Sequence, residues 1–344
     1  MPLIAEYIWI DGTEPTSIAR SKTRVIPQVP SLIKLDAFPV WVFDGSSTNQ
    51  APGHSSDRIL KPVAFVPDPV RGKSAYLVMC EVFNPDGTAH KSNKRANLRA
   101  VMAAGAAAHE PWVAFEQEYT FFVGSRPLGF PAERRYPAAQ GPYYCGVGAD
   151  EVYGREVVED HLAACLDAGI QLTGINAEVM PGQWEYQCGG PGVSPLEASD
   201  HLWLSRWLLY RVGEDHDISA TLDPKPVPGD WNGAGMHTNF STPAMRSEGG
   251  RAVIKATCDK IGQRVSEHLD VYGAGNEARL TGHHETCSYK EFRWGVADRT
   301  ASIRIPLLVN EEGRGYLEDR RPAANADPYA VCTALLKTTF DMWG

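Results

Sequence analysis

Side chains alternate faces along a β-strand, so residues two apart point the same way. In VAFEQEYTFFV (113–123) that rule places Glu116 and Glu118 on one face and Phe115, Tyr119 and Phe121 on the other. The aromatic face must meet the core, so the two carboxylates project into whatever space the sheet encloses. NAEVMPGQWEYQ repeats the pattern, with Pro181 and Gly182 supplying a turn between Glu178 on one strand and Glu185 on the next. In GMHTNFS, His237, Asn239 and Ser241 share a face opposite Met236 and Phe240, and GYLEDRRP puts Glu318 and Arg320 on one side.

A single Glu-x-Glu strand usually marks a solvated face. Several strands that do the same thing imply convergence, and carboxylates converging with one imidazole repel each other unless a cation neutralises them. Hard oxygen ligands with a single histidine suit Mg²⁺ or Mn²⁺ rather than zinc. Such clusters commonly hold nucleotide phosphates, and phosphoryl transfer also needs cationic groups. Arg279, Arg299, Arg304, Arg320 and Arg321 all lie in the last third of the chain. Their planar forks fit carboxylate and phosphate alike, although any one of them could equally be a surface arginine. The pattern points to a metal-dependent enzyme acting on phosphate and carboxylate groups, and leaves a metal-dependent phosphatase open.

The elements that must position these groups fall into two sets. Up to about residue 85 there are short β-type runs, EYIWID, TRVIP, VWVFD and YLVMCEVF, separated by Gly/Pro/Ser-rich turns and with no helical period. After NPDGTAH the pattern becomes mixed. LRAVMAAGAAAH reads as a helix, VAFEQEYTFFV as a strand, EVVEDHLAACLDAG as a helix ended by glycine, INAEVM as a strand, and SDHLWLSRWLLYRVGEDH as an amphipathic helix. The break between Asn84 and Lys91 predicts a small β-rich domain at 1–86 and a larger mixed domain at 91–344.

The 344 residues suit two unequal domains. No apolar run approaches the length of a membrane helix, and the N-terminus has no signal-peptide pattern. A net charge of −9 without a basic stripe argues against nucleic-acid binding. The densest basic stretch, KSNKRANLR, reads as a solvated helix start. Seven scattered cysteines, without CxxC spacing, read as free thiols in a reducing, cytoplasmic setting.

Eight strings in order along nearly the whole chain, FDGSST, FEQEYTFF, QGPYYCGVGAD, NAEVMPGQWEYQ, WNGAGMHTNFS, ARLTGHHET, ADRTASIRIP and GYLEDRRPAANADPYAV, resemble glutamine synthetases of the second, eukaryotic-like type. The resemblance implies an α+β fold: a small β-grasp N-terminal domain, and a larger catalytic domain whose curved antiparallel sheet, flanked by helices, half-encloses the site. It implies ATP-dependent ligation of ammonia to L-glutamate through γ-glutamyl phosphate. It also implies two or three Mg²⁺ or Mn²⁺ ions per site and a homo-oligomer of two stacked rings, a decamer, with sites at subunit interfaces.

By the same resemblance, one metal would be held by Glu118, Glu178 and Glu185, and a second by Glu116, His237 and Glu318. Asn239, Ser241, Arg304 and Tyr316, with Glu116 and Glu185, would serve ATP. Tyr144, Asn232, Gly233, Arg279, Arg299 and Arg320 would handle glutamate and the transferring phosphoryl group. Glu285 would sit in a flap over the intermediate, and Asp44 would reach a neighbouring subunit's site to bind and deprotonate ammonium. The chain starts almost directly at EYIWIDGT, without the longer N-terminal extension of animal and plant relatives. A glutamate–amine or polyamine ligase of the same fold is the alternative within enzymes. A non-catalytic structural relative should have lost ligands that are all present here.

Overall fold

A computed structural model describes residues 2–27, 32–131 and 137–343. The N-terminal sheet is built from β1 (Leu3–Ile10), β2 (Ala19–Ile26), β3 (Trp41–Asp44), β4 (Asp57–Pro67) and β5 (Ala75–Phe83), ordered β2-β1-β5-β4-β3. Its β1–β5 pair is parallel and the other pairs are antiparallel. Strand β1 is buried on both faces. Tyr7 and Trp9 pack with Phe38 and Phe43 on one side, whereas Ile8 and Ile10 join the main core of the chain on the other. Strand β4 escaped the sequence reading because Pro62 and Pro67 interrupt its alternation. Pro62 sits where the register with β5 shifts, which is where a strand tolerates a missing N–H donor.

A short helix α1 (Lys94–Ala103), capped by Asn93, which accepts from Ala96 N, leads into the larger unit. There β6 (Trp112–Val123), β7 (Arg126–Pro127), α2 (Arg155–Asp167), β8 (Leu172–Ala177), β9 (Gln183–Gly189), α3 (Pro195–Asp215), β10 (Ser219–Thr221) and β11 (Met236–Ser241) follow. The chain continues through α4 (Pro243–Arg246), α5 (Gly250–Gly262), α6 (Val265–Leu269), β12 (Trp294–Val296), β13 (Ile303–Ile305), α7 (Leu307–Glu312), β14 (Leu317–Asp319) and α8 (Pro328–Thr339). The sheet order is β12-β13-β14-β11-β6-β9-β8, with β7 and β10 also paired to β6. Every pair is antiparallel except the edge pair β12–β13, so the sheet is mixed rather than wholly antiparallel as expected. Only three residues on each strand take part in that parallel pair.

The sequence cues for α3 are plain: Ser194 caps its first turn and Pro195 opens it. Its environment departs from an amphipathic surface helix. It contacts α2, α8, β6, β9 and β10, so Leu202, Leu204, Leu208 and even Arg206 are buried. Arg206 is accommodated because its guanidinium donates to Gln117 Oε1 and to the carbonyls of Ala324 and Ala326. The basic stretch at α1 is not simply solvated. Arg95 spans from Glu81 on β5 to Asp200 on α3, and Arg99 joins it at Glu81. The seven cysteines are free thiols. No helix among the described residues is long and apolar enough to cross a membrane.

Candidate active site

The cross-strand register aligns the ionisable residues on one face of the large sheet. Glu118 of β6 stands opposite Glu185 of β9, and Glu116 stands opposite His237 of β11. On the other side Asn239 of β11 faces Glu318 of β14, which in turn faces Arg304 of β13. The reverse face of β6 carries Phe115, Tyr119 and Phe121, each fully buried, as strand parity demands. Like charges directly opposite each other destabilise a sheet, so the Glu118–Glu185 pairing is costly for the fold taken alone.

Around His237 the ligand-type atoms divide into two groups. Nδ1 lies 3.3 Å from Glu116 Oε2 and 3.6 Å from Glu318 Oε1, while Nε2 lies 3.9 Å from Glu118 Oε1. Glu116, His237 and Glu318 thus form one potential metal-holding trio, and Glu118, Glu185 and His237 a second. The first trio is the expected one. In the second, His237 stands where Glu178 was expected. Glu178 lies one residue beyond the end of β8 rather than on the strand, and accepts from Asn176 Nδ2 at 2.9 Å. It remains in the same cavity, of about 370 Å³, lined by all six of these residues except Glu318 together with Tyr144, Val179, Glu285, Arg299, Arg304 and Arg320.

Burial raises the carboxyls of Glu118, to about 7, and Glu178, to about 8. For Glu178 and Glu185 the neighbouring carboxylates push further the same way, and Glu185 rises well above the usual range. His237 is held neutral, chiefly by burial and then by the Arg320 charge. A set of buried carboxylates that resist ionisation beside a neutral imidazole fits divalent cations, which would supply the missing positive charge. On the other flank Glu318 is already neutralised: Arg320 Nη1 donates to it at 2.6 Å, and Arg304 Nε also donates to it.

Several expected residues lie behind or beside the cavity. Arg279 is buried, with Nη2 donating to His237 Nε2 at 3.0 Å and to the Arg320 carbonyl at 3.1 Å. It braces the histidine from behind. Gly233 and Gly235 let the chain pass it, since a Cβ at Gly235 would stand 2.3 Å from Arg279 Nη2. Asn239 Nδ2 donates to Glu116 Oε1, while its buried Oδ1 has no partner. Ser241 Oγ accepts from Arg246, whose guanidinium lies 3.5 Å above the Trp112 ring. Tyr316 is partly exposed and near Glu116 and Glu318. Asn232 is buried, and its Oδ1 accepts from Gln140 Nε2 at 2.6 Å.

Asp44 is not among the residues lining this chain's cavity. At the end of β3 it accepts from Ser46 N, Ser46 Oγ and Ser47 Oγ, and these bonds hold its carboxyl below the usual range. Arg299 lines the cavity without an acidic partner among the described residues. The sequence reading missed Val179, Gln140, Asn176 and Gln187, none of which belongs to a residue type or spacing that signals chemistry by itself.

Two family models match the chain: the glutamine synthetase beta-grasp domain over residues 3–85 and the glutamine synthetase catalytic domain over 91–341. The chain is 60% identical over 338 residues to glutamine synthetase of Streptomyces viridochromogenes, covering 98% of this chain and 97% of that protein. It is 53% identical over 346 residues to the chloroplastic glutamine synthetase of Chlamydomonas reinhardtii, covering 98% and 90%. With the Neurospora crassa enzyme the identity is 52% over 339 residues, covering 98% and 92%. A cryo-EM structure of Plasmodium falciparum glutamine synthetase superposes with a TM-score of 0.77 at 17% identity, covering 98% of this chain and 72% of that one, a likeness of fold.

Proposed function

The chain belongs to the glutamine synthetase family, and from that premise we propose which of its residues carry out the ligation of ammonia to glutamate. The activity is ATP-dependent: the glutamate side-chain carboxylate takes the γ-phosphoryl group to give γ-glutamyl phosphate, and ammonia then displaces phosphate to give L-glutamine and ADP. Divalent metal is part of the family's chemistry. In our assignment Glu116, His237 and Glu318 hold one ion and Glu118, Glu185 and Glu178 another, and Mg²⁺ or Mn²⁺ suits this oxygen-rich set. When bound, the ions neutralise phosphate charge and draw electron density from the transferring group.

The protein's own residues supply position, charge and shelter. Arg299 lines the cavity with no acidic partner among the described residues, which suits its fork to the phosphoryl oxygens, whereas Arg304 and Arg320 already hold Glu318 and define the rim. Asn232, Gly233, Arg279 and Tyr144 are assigned to glutamate, and Asn239, Ser241 and Tyr316 to the nucleotide. The unpartnered Asn239 Oδ1 supports that last placement. Glu285 covers the acyl phosphate from the flap and limits hydrolysis. The single observation that carries this reading is the strand register, which brings Glu116, Glu118, Glu185, His237 and Glu318 onto one face.

We assign Asp44 to the site of a neighbouring subunit in a double ring of this chain. Its absence from its own chain's cavity and the exposed Val40 and Val42 beside it support this assignment. The hydrogen bonds that keep Asp44 ionised suit it to attracting ammonium more than to taking its proton. The division into domains at 1–86 and 91–344 belongs to the same reading. The deciding experiment is ATP-dependent amide formation from glutamate and ammonium, with methylamine and polyamines run in parallel. A clear preference for a larger amine would overturn the ammonia assignment and favour the amine-ligase alternative.

A further inference from the structure

The flap is closed at its base by the Thr281–Ser288 bridge, yet its tip is strained. His284 and Glu285 both adopt positive φ, 53° and 60°, a left-handed conformation that residues other than glycine seldom take and that two in succession need support to hold. That support is visible on both edges of the His284 ring. Nε2 lies 3.2 Å from Asp230 Oδ1, and Nδ1 lies 3.2 Å from Gln140 Nε2. The same Gln140 amide donates to Asn232 Oδ1 at 2.6 Å. Because the Gln140 amide nitrogen can only donate, Nδ1 must accept, and Nε2 then carries the proton that goes to Asp230.

None of Gln140, Asp230 and His284 lines the cavity, so they can act only through the residues they hold. We propose that Gln140, His284 and Asp230 form a clasp that positions the Glu285 flap and ties it to Asn232, so that glutamate held at Asn232 steadies the lid over the acyl phosphate. This rests on the assignment of Asn232 to glutamate and of Glu285 to the lid. The three are positioning residues: they set how long the intermediate is sheltered, not how the nucleotide binds.

The test uses the intact assembled enzyme and two variants, Gln140→Met, which keeps length and removes the donors, and Asp230→Ala, at an exposed position. Amide hydrogen exchange across 281–288 should accelerate roughly tenfold in each, because the strained tip loses a tether. At low ammonium, phosphate released per glutamine formed should rise from one to roughly two or more, through hydrolysis of the unsheltered intermediate. The KM for ATP should stay within roughly twofold, since no clasp residue meets the nucleotide. In the double variant both effects should be less than additive, as for members of one network. Unchanged exchange in both single variants overturns the clasp, and faster exchange with the product ratio held at one overturns its link to catalysis. A wild-type enzyme that makes no glutamine would instead defeat the activity itself, while the exchange measurement would still read the clasp.

Discussion

Two clusters of buried charge in this chain are built in opposite ways. Where β5 meets α1 and α3, Glu81 and Asp200 each face an arginine: Arg95 bridges both acids, Arg99 adds a second donor to Glu81, and Tyr329 donates to Asp200. The Glu81 carboxyl is held below its usual range by Arg99 and Arg95, against the effect of its own burial. At the site, Glu118 and Glu185 are also buried and Glu178 is partly so, but none of them has an arginine or lysine partner among the described residues, and their carboxyls are driven up. Burial alone therefore does not decide how these acids are balanced. Glu81 has paired arginines, and so does Glu318 within the site, whereas Glu118, Glu178 and Glu185 have none among the described residues, and it is there that we assign a metal ion.

The strongest way to break this contrast is Glu185→Gln. Removing the carboxylate that we assign to a metal ion should lower glutamine formation by roughly a thousandfold, within the range for deleting a key charge-stabilising group. Thermal unfolding in chelator should meanwhile show the metal-free protein no less stable, because a repelling carboxylate has gone. A lower melting temperature in chelator would mean that Glu185 is held by the protein and not by a cation.

The reciprocal change, Glu81→Gln, leaves Arg95 and Arg99 short of an acceptor. It should cost about 3 kcal/mol, as for breaking a buried ion pair, while activity per folded molecule is kept. Chemical denaturation read with activity checks both halves. Arg299→Lys keeps the charge of an arginine that has no acidic partner among the described residues but loses its fork. Turnover should fall by roughly a hundredfold with the melting temperature unchanged. A near-normal rate would remove Arg299 from the phosphoryl group.

The clusters should also respond to pH with opposite signs. The Glu118, Glu178 and Glu185 carboxyls have folded pKa values above their unfolded ones. Their contribution to the metal-free protein is fully present below the ordinary glutamate range and is lost as pH rises toward about 8. Glu81 has a lowered folded pKa, so its contribution is present above the ordinary range and is lost as pH falls through the folded value. Melting temperatures in chelator should therefore decline from pH 5 to 8, and saturating metal should flatten that decline. Persistence of the decline with metal bound would detach it from the site. The smallest effect expected is that of Arg99→Ala. Its side chain is half-exposed and Arg95 remains on Glu81, so the loss should stay below about 1 kcal/mol in the same denaturation assay.

Much of the site was legible from alternation, since strand parity alone places Glu116 with Glu118 and His237 with Asn239. Parity acts over two residues and needs no knowledge of the neighbouring strand. It failed for Glu178, where the strand stops one residue short, and for β4, where prolines hide the period behind a register shift. It also could not tell the basic run at α1 from a solvated helix start, because Arg95 acquires Asp200 as a partner across 105 positions.

By itself the sequence determined the residue types on each strand face, a helix start within KSNKRANLR, and the family through eight ordered strings. These are local properties of a chain, set by backbone geometry and capping chemistry within a few residues. Tertiary structure decided which faces meet: that Glu118 opposes Glu185, that His237 stands between two groups of carboxylates, that Arg279 braces it from behind, and that Gln140 reaches His284. Those contacts depend on strand order and register. They arise from the balance of burial, hydrogen bonding and like-charge repulsion over the whole sheet, which no short stretch of sequence contains.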